Sequence, residues 1–498
     1  VVTLDGADYV TVNNLVVDAT NNGAPGTYGW GVQLVNGADN DVINGCTVTS
    51  ATNSSSANFA GIVSSASTTG ATTSGVNSNQ NVTITNNTVT GGYYSITGVG
   101  VSTAAPSTGL VISNNTVRDF YLYGIYVSFQ SSPQIIGNDV ARPTAGISAS
   151  TFYGLYLTTS ISGAAVEKNR IHNPFPAGST STSTVYSIYA SSTAGTASAP
   201  NDVVNNLIYN LNGAGSQYGI YNTGADYMRY YHNTINLDDQ TNAGSSSSYG
   251  FYQTTGENVD FKNNVVRVTR TGTGTHYALY FSSTSGTTSS NYNALSGSGA
   301  NFRTGYYPST AQATLANWKT ANNGAYDQNS TDVDPSFVAP ATGNLRPTSG
   351  ALNAAGTPLT RVPQDITGAP RSTTAPDLGA YEFTPPTDDA AVVSIDAPVS
   401  PGAAGPRPLT VTIRNNGAAV LNSVQLGYTL NGGSATTQTF TGLNLASGAT
   451  RALTFTAPVT LVTGANALTV TSSLPNGNAD PNPANDAQST TVYTALAG

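Results

Sequence analysis

The residues best suited to chemistry lie in one short stretch, Glu167-Lys168-Asn169-Arg170-Ile171-His172. Cleavage of a polysaccharide by elimination needs a base and a cation that neutralises the substrate carboxylate. Lys168, Arg170 and His172 are residue types that could fill these roles. The alternative is a solvated turn, since His172 precedes Asn173-Pro174, which is typical of turns.

Hydrolysis of a glycosidic bond needs two carboxylates at a defined separation. Asp238-Asp239 is the only pair of adjacent acids in residues 1–290, and no acid on a neighbouring repeat pairs with it. We interpret it as a solvated loop pair. We therefore assign no catalytic residue and expect that the protein is not an enzyme. The alternative is a polysaccharide lyase.

The sequence gives little support for a metal site, because its 3 His and 1 Cys lie in unrelated contexts. Asp480, Asn482, Asn485 and Asp486 carry oxygens that could hold Ca²⁺. The other interpretation is a Pro-containing turn in which these side chains cap the backbone. We expect no metal site and no cofactor, with Ca²⁺ at this turn as the alternative.

A repeat of the form apolar-x-Asn-Asn-x-apolar positions the candidate residues. Its Val, Ile and Thr content and its Gly and Asn boundaries predict short strands. Nine copies recur roughly 23 to 41 residues apart, as in a stack of coils. Asn tolerates left-handed backbone, so the second Asn of each copy predicts an internal hydrogen-bonded ladder. That column reads Asn14, Cys46, Asn87, Asn115, Asn138, Asn169, Asn206, Asn233 and Asn264.

Stacking would align the positions that follow the Asn turns, because neighbouring strands lie about 4.8 Å apart. Arg118, Arg142, Tyr209 and Arg267 occupy such positions. A polar stripe with Arg142, His172 and Tyr209 adjacent is therefore the sharpest enzyme hypothesis.

A second motif follows every copy of the first, usually as Tyr-Gly-apolar-Tyr. In Tyr123-Gly124-Ile125-Tyr126-Val127, alternation predicts that Tyr123 and Ile125 share one face and that Gly124 and Tyr126 share the other. An external tyrosine ladder could bind sugar rings or a protein partner. The alternative is that stacked tyrosines only stabilise the sheet. The ladder would consist of Tyr126, Tyr156, Tyr189, Tyr221, Tyr252 and Tyr280.

These two motifs resemble those of right-handed parallel β-helix proteins of the pectin-lyase-like superfamily. The resemblance covers about residues 1–300 and implies a solenoid, with coils over 1–290. The paired acids, Gly-His-Gly and Arg-x-Lys of related pectin-degrading hydrolases do not recur here as a set. The resemblance therefore indicates fold more than activity.

Residues 291–383 change character. The stretch Ser309 to Trp318 predicts a short helix with Ser309 or Thr310 as its N-cap. The series ending in Asp377-Leu378-Gly379-Ala380-Tyr381-Glu382 resembles the DIGAYE-type segment that closes bacterial surface β-helices. The resemblance implies structural roles, with partners in the backbone or one another, for Asp365, Arg371, Asp377 and Glu382.

Residues 384–388 form a Pro-rich linker, and 389–498 contain seven predicted strands with turns every 8 to 15 residues. This pattern is typical of an Ig-like β-sandwich. Arg414-Asn415-Asn416-Gly417 and the turn from Asp480 to Asp486 resemble the CARDB family, an adhesion-related bacterial domain. The expected fold class is all-β, a right-handed parallel β-helix solenoid followed by an Ig-like β-sandwich.

Composition limits the partners. The net charge is -9 without a basic patch, which argues against nucleic acid. No apolar run is long enough to span a membrane. The chain opens inside a strand pattern, without a signal peptide or a cap for the first coil, so we expect it to be a piece of a longer precursor. Its Ser- and Thr-rich, Lys-poor composition favours a secreted or outer-surface bacterial protein.

The function expected from these features is a non-catalytic adhesin or structural stalk that binds a surface or matrix polysaccharide or another surface protein. One alternative is a lyase or hydrolase acting on an acidic polysaccharide. Another is an extracellular filament subunit that assembles head to tail.

Overall fold

The computed structural model describes residues 1–21, 27–144, 150–241, 244–284, 288–483 and 485–495. The chain forms two compact units, and each is described separately. The solenoid unit comprises Val1–Asp332, Pro340–Gly343 and Gly356–Glu382. The C-terminal unit comprises Val333–Ala339, Asn344–Ala355 and Phe383–Gly498.

The solenoid unit winds through about ten turns, and each turn adds one strand to each of three parallel sheets. This confirms the predicted all-β solenoid. Sheet A ends in one antiparallel pair and contains Val2–Asp5, Gly29–Val35, Phe59–Ser64, Tyr94–Val99, Tyr123–Ser128, Phe152–Thr158, Val185–Ser191, Gln217–Thr223, Ser248–Gln253, His276–Phe281, Phe302–Tyr307 and Thr310–Gln312.

Sheets B and C have ten strands each. Sheet B contains Thr11–Asn13, Val42–Asn44, Thr83–Thr85, Val111–Ser113, Gln134–Ile136, Ala165–Glu167, Asn201–Val204, Met228–Tyr231, Val259–Lys262 and Thr288–Asn291. Sheet C contains Val16–Ala19, Thr47–Ser50, Thr88–Thr90, Thr116–Arg118, Asp139–Ala141, Arg170–His172, Leu207–Tyr209, Thr234–Leu237, Val265–Val268 and Ala294–Gly297. Ser107–Thr108 and Gln130–Ser131 form a further small pair.

The Asn-Asn motif makes the corner between sheets B and C. In the coil around Ile112, Asn114 has φ of 54° and Asn115 follows it before the next strand. Asn adopts this left-handed backbone at low cost, which explains its recurrence at the corner. The first Asn of the motif therefore turns the chain, and the second points inward.

The inward asparagines form the predicted ladder. The side-chain nitrogen of Asn115 donates to Asn138 Oδ1 at 3.0 Å and to the Ile84 carbonyl at 2.9 Å. The same two kinds of contact recur along the column, and Cys46 donates its backbone N–H to Asn87 Oδ1. Buried amides are thus fully bonded from coil to coil, which gives the solenoid a continuous polar spine. The ladder consists of Asn87, Asn115, Asn138, Asn169, Asn206, Asn233, Asn264 and Asn293.

The first coil departs from the predicted column by one residue. Val12 pairs with Ile43, so Leu15 occupies the position equivalent to Cys46. Asn14 has φ of 56° and lies at the turn instead. The prediction that Asn14 belongs to the ladder is therefore wrong, because the apolar position of this copy is Val12 rather than Thr11.

A short closing element follows the last coil. The predicted helix is displaced, since Thr310–Gln312 is a strand and the helix spans Leu315–Thr320 with Thr314 as its N-cap. Trp318 is fully buried beneath Gly305 and stacks on Tyr326. The Ser309 and Thr310 cap positions were wrong because a hairpin takes up the residues expected to begin the helix. Short 3₁₀ turns follow in the solenoid unit at Ala321–Gly324 and Pro340–Thr342, and the C-terminal unit has another at Gly350–Leu352.

The segment Gly356–Glu382 packs along the corners of the coils within the solenoid unit. Arg361 bridges Glu167 and Asp202 at 2.5 and 2.6 Å. Arg371 is held by Glu382 and by Asn205 Oδ1. Asp365 accepts from backbone N–H groups, one of them that of Glu382. The expected structural pairing of Asp365, Arg371 and Glu382 is confirmed.

The C-terminal unit contains small antiparallel sheets around one apolar cluster that includes Val411, Leu426 and Val470. The seven predicted strands are present, and two further short ones form a pair of their own. A two-stranded sheet of Phe337–Ala339 and Asn344–Pro347 and a 3₁₀ turn at Pro475–Gly477 complete the unit. The strands are Ala390–Ala397, Gly405–Arg407, Thr410–Asn415, Leu421–Leu430, Thr436–Leu445, Thr450–Thr454, Val459–Leu461, Gly464–Ser473 and Ala487–Thr494.

Candidate functional site

Arg142, the central residue of the enzyme hypothesis, is a buried structural group. The residue is 1% exposed. The guanidinium donates to the carbonyls of Tyr121, Pro174 and Ser150. It also lies 4.9 Å from the ring centroid of Phe175. Burial lowers the Arg142 pKa to about 9.

The predicted stripe is shifted by one residue at this coil. Ala141, not Arg142, pairs with His172, and His172 pairs with Tyr209. The column just after the turns thus contains Arg118, Ala141, His172 and Tyr209. The expected adjacency of Arg142 and His172 is wrong, because the chain turns inward immediately after Ala141.

His172 is held within a polar group on sheet C. Its Nε2 lies 2.9 Å from Asp139 Oδ1, and its Nδ1 lies 2.6 Å from Asn173 Oδ1. Arg118 also contacts Asp139, at 2.6 Å. These partners hold the pKa of Asp139 below its usual value against the opposing effect of burial. The Asp139 carboxylate is therefore neutralised by its own neighbours.

Tyr209 stacks on His172, with ring centroids 4.7 Å apart. Burial and the nearby Asp139 carboxylate raise the pKa of Tyr209 to about 12, opposite to what a catalytic base requires. The positive charge of nearby Arg170 opposes this rise in the pKa of Tyr209. Lys168 occupies the left-handed corner with φ of 58°. The structure thus brings His172, Tyr209 and Arg170 together but leaves Arg142 in the interior.

Asp238 and Asp239 are loop residues held by local hydrogen bonds. Asp238 accepts from Asn236 at 2.7 Å, and Asp239 accepts from the backbone and side chain of Thr241. Burial raises the pKa of Asp238. Each carboxylate is thus hydrogen-bonded within its own turn.

The predicted tyrosine ladder is part of a larger surface on sheet A, which we term the tyrosine face. It consists of two parallel columns of seven half-buried rings, together half of the chain's 28 tyrosines. Column one contains Tyr94, Tyr123, Tyr153, Tyr186, Tyr218, Tyr249 and Tyr277. Column two contains Tyr126, Tyr156, Tyr189, Tyr221, Tyr252, Tyr280 and Tyr306.

A displaced glycine puts both columns on the same side. Tyr123 pairs with Tyr153 and Ile125 pairs with Leu155, with no pairing at the glycine between them. A Cβ on Gly124 would meet Val140 Cγ1 at 2.7 Å, so this position faces the interior. The predicted alternation is therefore wrong for Tyr123 and Gly124. The signal that could have shown this is the recurrence of Tyr three residues before every Tyr of column two except Tyr306.

The rings of the tyrosine face pack closely on one another. Successive centroids within a column are 4.2 to 5.7 Å apart, which follows the spacing of the strands. Most rings of different columns meet nearly at right angles, as Tyr218 and Tyr221 do at 5.1 Å and 89°, whereas Tyr153 and Tyr156 meet at 57°. Offset-parallel and edge-to-face contacts are the preferred aromatic geometries. The result is a rigid herringbone array.

The tyrosine face is uncharged. Burial and neighbouring tyrosines raise the pKa of Tyr126 and of Tyr186 to about 12. The phenols therefore remain protonated at neutral pH and can donate hydrogen bonds. Beside column two the register runs through Ser128 and Thr158, which are buried, and through Ser191 and Thr223, which are partly exposed and add neutral hydroxyl groups.

The proposed Ca²⁺ turn is organised around a residue that the sequence interpretation missed. Asp389 is fully buried and accepts from the side chains of Asn482 and Asn485. Burial raises the pKa of Asp389 to about 6 and that of Asp486 to about 7, with nearby Asp480 adding to both shifts. In the part of the chain that the structure describes, no group of three or more His, Cys, Asp and Glu side chains could hold a metal ion.

Two comparisons of the sequence found nothing: no protein-family model matches the chain, and no curated protein matches it. Among solved structures, the chain is similar to the CARDB domain of the PF1109 protein from Pyrococcus furiosus, crystallised in complex with di-metal ions. The identity is 22%, the match covers 23% of this chain and 100% of that chain, and the TM-score is 0.20. Among the described residues, no helix has the length and apolar character needed to cross a membrane.

Proposed function

We propose that this chain is a non-catalytic bacterial surface or secreted protein that binds polysaccharide through the tyrosine face. The observation that carries the proposal is the pair of seven-membered tyrosine columns on one side of the solenoid. Aromatic residues with polar tips are favoured where a surface must remain hydrated and still bind a partner. Sheet stability alone would require neither two columns nor their flank of serines and threonines.

The scaffold suits an adhesin or a stalk. Asn115 and its equivalents bond every coil to the next in the interior, so the external rings stand on a preorganised support. A rigid surface loses little conformational entropy when it binds a ligand. The same rigidity is useful in a stalk that presents a binding surface away from a cell.

We further propose that the solenoid is a right-handed parallel β-helix of the pectin-lyase-like type, closed by a DIGAYE-type segment. The pairing of Arg371 with Glu382 supports a structural role for that segment. We propose an Ig-like, CARDB-type sandwich for the C-terminal unit, supported by its antiparallel strands around one apolar cluster. Both features accord with an extracellular location and with adhesion.

A lyase acting on an acidic polysaccharide is the second candidate, because His172, Tyr209 and Arg170 lie together on sheet C. Two features weigh against it. The Asp139 carboxylate already engages His172 and Arg118, and the Tyr209 pKa is raised to about 12. Arg142, which would have bound a substrate carboxylate, is enclosed by phenylalanine rings.

The experiment that tests the proposal is incubation of the whole chain with cellulose, chitin, xylan, pectate, alginate and chondroitin, with and without Ca²⁺. Retention on each polysaccharide, unsaturated products and new reducing ends are measured. We expect retention without cleavage, lost in Tyr189→Ala/Tyr221→Ala and kept in His172→Ala. Cleavage abolished by His172→Ala would instead establish the lyase. Growth of assemblies in light scattering without retention would favour the filament.

A further inference from the structure

We propose, on the basis of the function proposed above, that the ligand is a neutral, extended polysaccharide that lies along the solenoid axis. In this mode the outer ring edges and hydroxyls of one Tyr pair per coil contact successive parts of the chain. The proposal specifies the class of ligand, its direction and the kind of contact.

The first step is the charge of the tyrosine face. All fourteen ring positions of the tyrosine face carry phenols. Burial disfavours ionisation of several of them, as the raised pKa values of Tyr126 and Tyr186 indicate. Column one is followed by a cationic residue at its end, where the strand partner of Tyr277 is Arg303. That guanidinium donates to the carbonyls of Ala300 and Phe302. With a net charge of -9 on the chain, a polyanion would meet repulsion without compensating ion pairs.

The second step is the packing of the rings. Tyr186 and Tyr218 are 4.8 Å apart at 14°, and Tyr221 and Tyr252 are 5.0 Å apart at 10°. No sugar ring can enter between aromatic rings at this separation. The faces are further covered by edge-to-face contacts such as that of Tyr249 with Tyr252 at 4.9 Å and 87°. The ligand must therefore bind across the ring edges and the hydroxyls, not sandwiched between rings.

The third step is direction. Along each strand the tyrosine face is two rings wide, whereas along the solenoid axis each column has seven rings. At a strand spacing of ~4.8 Å, seven coils give a length of roughly 30 Å. A sugar polymer lying parallel to the strands would contact one or two coils. The same polymer lying along the axis would contact every coil, because its extension per sugar is close to the spacing of the strands.

The fourth step is how affinity would accumulate. Each Tyr edge and hydroxyl is a weak contact, as hydrogen bonds formed in competition with water are. Contacts made by successive units of one polymer become intramolecular after the first, so affinity rises with chain length. This distinguishes the axial mode from a pocket that recognises one or two sugars.

The test is calorimetric titration of the whole chain with neutral 1,4-linked oligosaccharides of two to eight units, and with pectate and alginate oligomers of equal length. We expect affinity for the neutral series to rise at least tenfold from two to six units. We also expect the acidic oligomers to bind at least tenfold more weakly. Affinity that stops rising above three units, or equal affinity for acidic oligomers, would overturn the axial neutral-chain model while leaving polysaccharide binding intact.

Variants place the binding on the tyrosine face. Tyr189→Phe/Tyr221→Phe keeps the stacking and removes two central hydroxyls, so we expect threefold to tenfold weaker binding of the longest oligomer with an unchanged melting temperature. The matched control is Tyr9→Asn, an exposed corner position with φ of 60° that Asn tolerates, and it should bind normally. Loss of binding in the control alone, or no binding to any saccharide, would reject the proposed function itself. A dimer that the Phe variant dissociates would assign the face to a second copy of this chain and overturn the proposal.

Discussion

Asp327 accepts a hydrogen bond from the side-chain nitrogen of Asn293 at 2.8 Å, at the end of the asparagine ladder. The same carboxylate accepts from Ser290 and from the indole nitrogen of Trp318, at 2.7 and 2.8 Å. Aligned hydrogen bonds polarise one another, and an acceptor with full negative charge suits the end at which the last amide donates. Asp327 thus joins the internal ladder to the closing element.

Replacement of this carboxylate should loosen the closed end of the solenoid. We expect Asp327→Ala to lower the free energy of unfolding by about 3–5 kcal/mol, because buried donors of Asn293, Ser290 and Trp318 lose their acceptor. Urea denaturation followed by tryptophan fluorescence measures the change, with the exposed Asp332→Asn as control. Equal stability of the two variants would contradict the role given to Asp327.

An interior rung of the ladder should matter as much as its end. Asn169 donates to Asn206 Oδ1 and to the Ile135 carbonyl, and accepts from Asn138. We expect Asn169→Ala to cost about 2–4 kcal/mol of unfolding free energy, since these groups remain buried without partners. The exposed Asn329→Ala is the control, and thermal melting by circular dichroism is the measurement. A cost below that of the control would mean that the ladder contributes little.

Arg142 should behave as a structural residue. Arg142→Met keeps an apolar stem among the rings but leaves the carbonyls of Tyr121, Pro174 and Ser150 without their donor. We expect a loss of about 2–4 kcal/mol in unfolding free energy, and an unchanged affinity for polysaccharide at temperatures where the protein stays folded. Weaker binding with full stability would instead indicate a direct role in ligand recognition.

The C-terminal unit should lose stability as the pH rises. The folded-state pKa values of Asp389 and Asp486 are raised from 3.8 to about 6 and about 7. Between the unfolded and folded values the native state binds more protons, so its stability is greatest near pH 4 and falls up to about pH 7. Differential scanning calorimetry from pH 4 to 8 should show this fall. Asp486→Asn should flatten the profile, whereas a profile that rises with pH would contradict the assignment.

Much of the solenoid could be predicted from sequence, because apolar and Asn residues recur once in each coil. Ile112, Ile135 and Val166 fall in register as expected. The errors arose where one additional or missing residue in a strand changes the side of the sheet to which the following side chains point. The extra residue at Gly124 moved Tyr123 outward, and the bend after Ala141 moved Arg142 inward.

Other features depend on contacts between residues distant in sequence. Asp389 accepts a hydrogen bond from Asn485, which is distant from it in the sequence of the C-terminal unit. Asn205 accepts one from Arg371, 166 residues further along the chain. A tenth corner, at Tyr292 and Asn293, was missed because Ser290 stands at the position that is apolar in the other copies. No local pattern contains such pairings. Column one of the tyrosine face was missed for a different reason, because strict alternation placed Tyr123 and its equivalents on the inner side.

The hydrogen bonds that join Asn115, Asn138 and Asn169 on successive coils also affect how the number of repeats can change during evolution. Each coil contacts mainly the coils before and after it, so a whole repeat can be inserted or lost while its neighbours keep their partners. Unequal recombination within the gene would then lengthen or shorten the tyrosine face in steps of one strand spacing. The length of the tyrosine face would be set by the number of repeats, and its chemistry would remain constant.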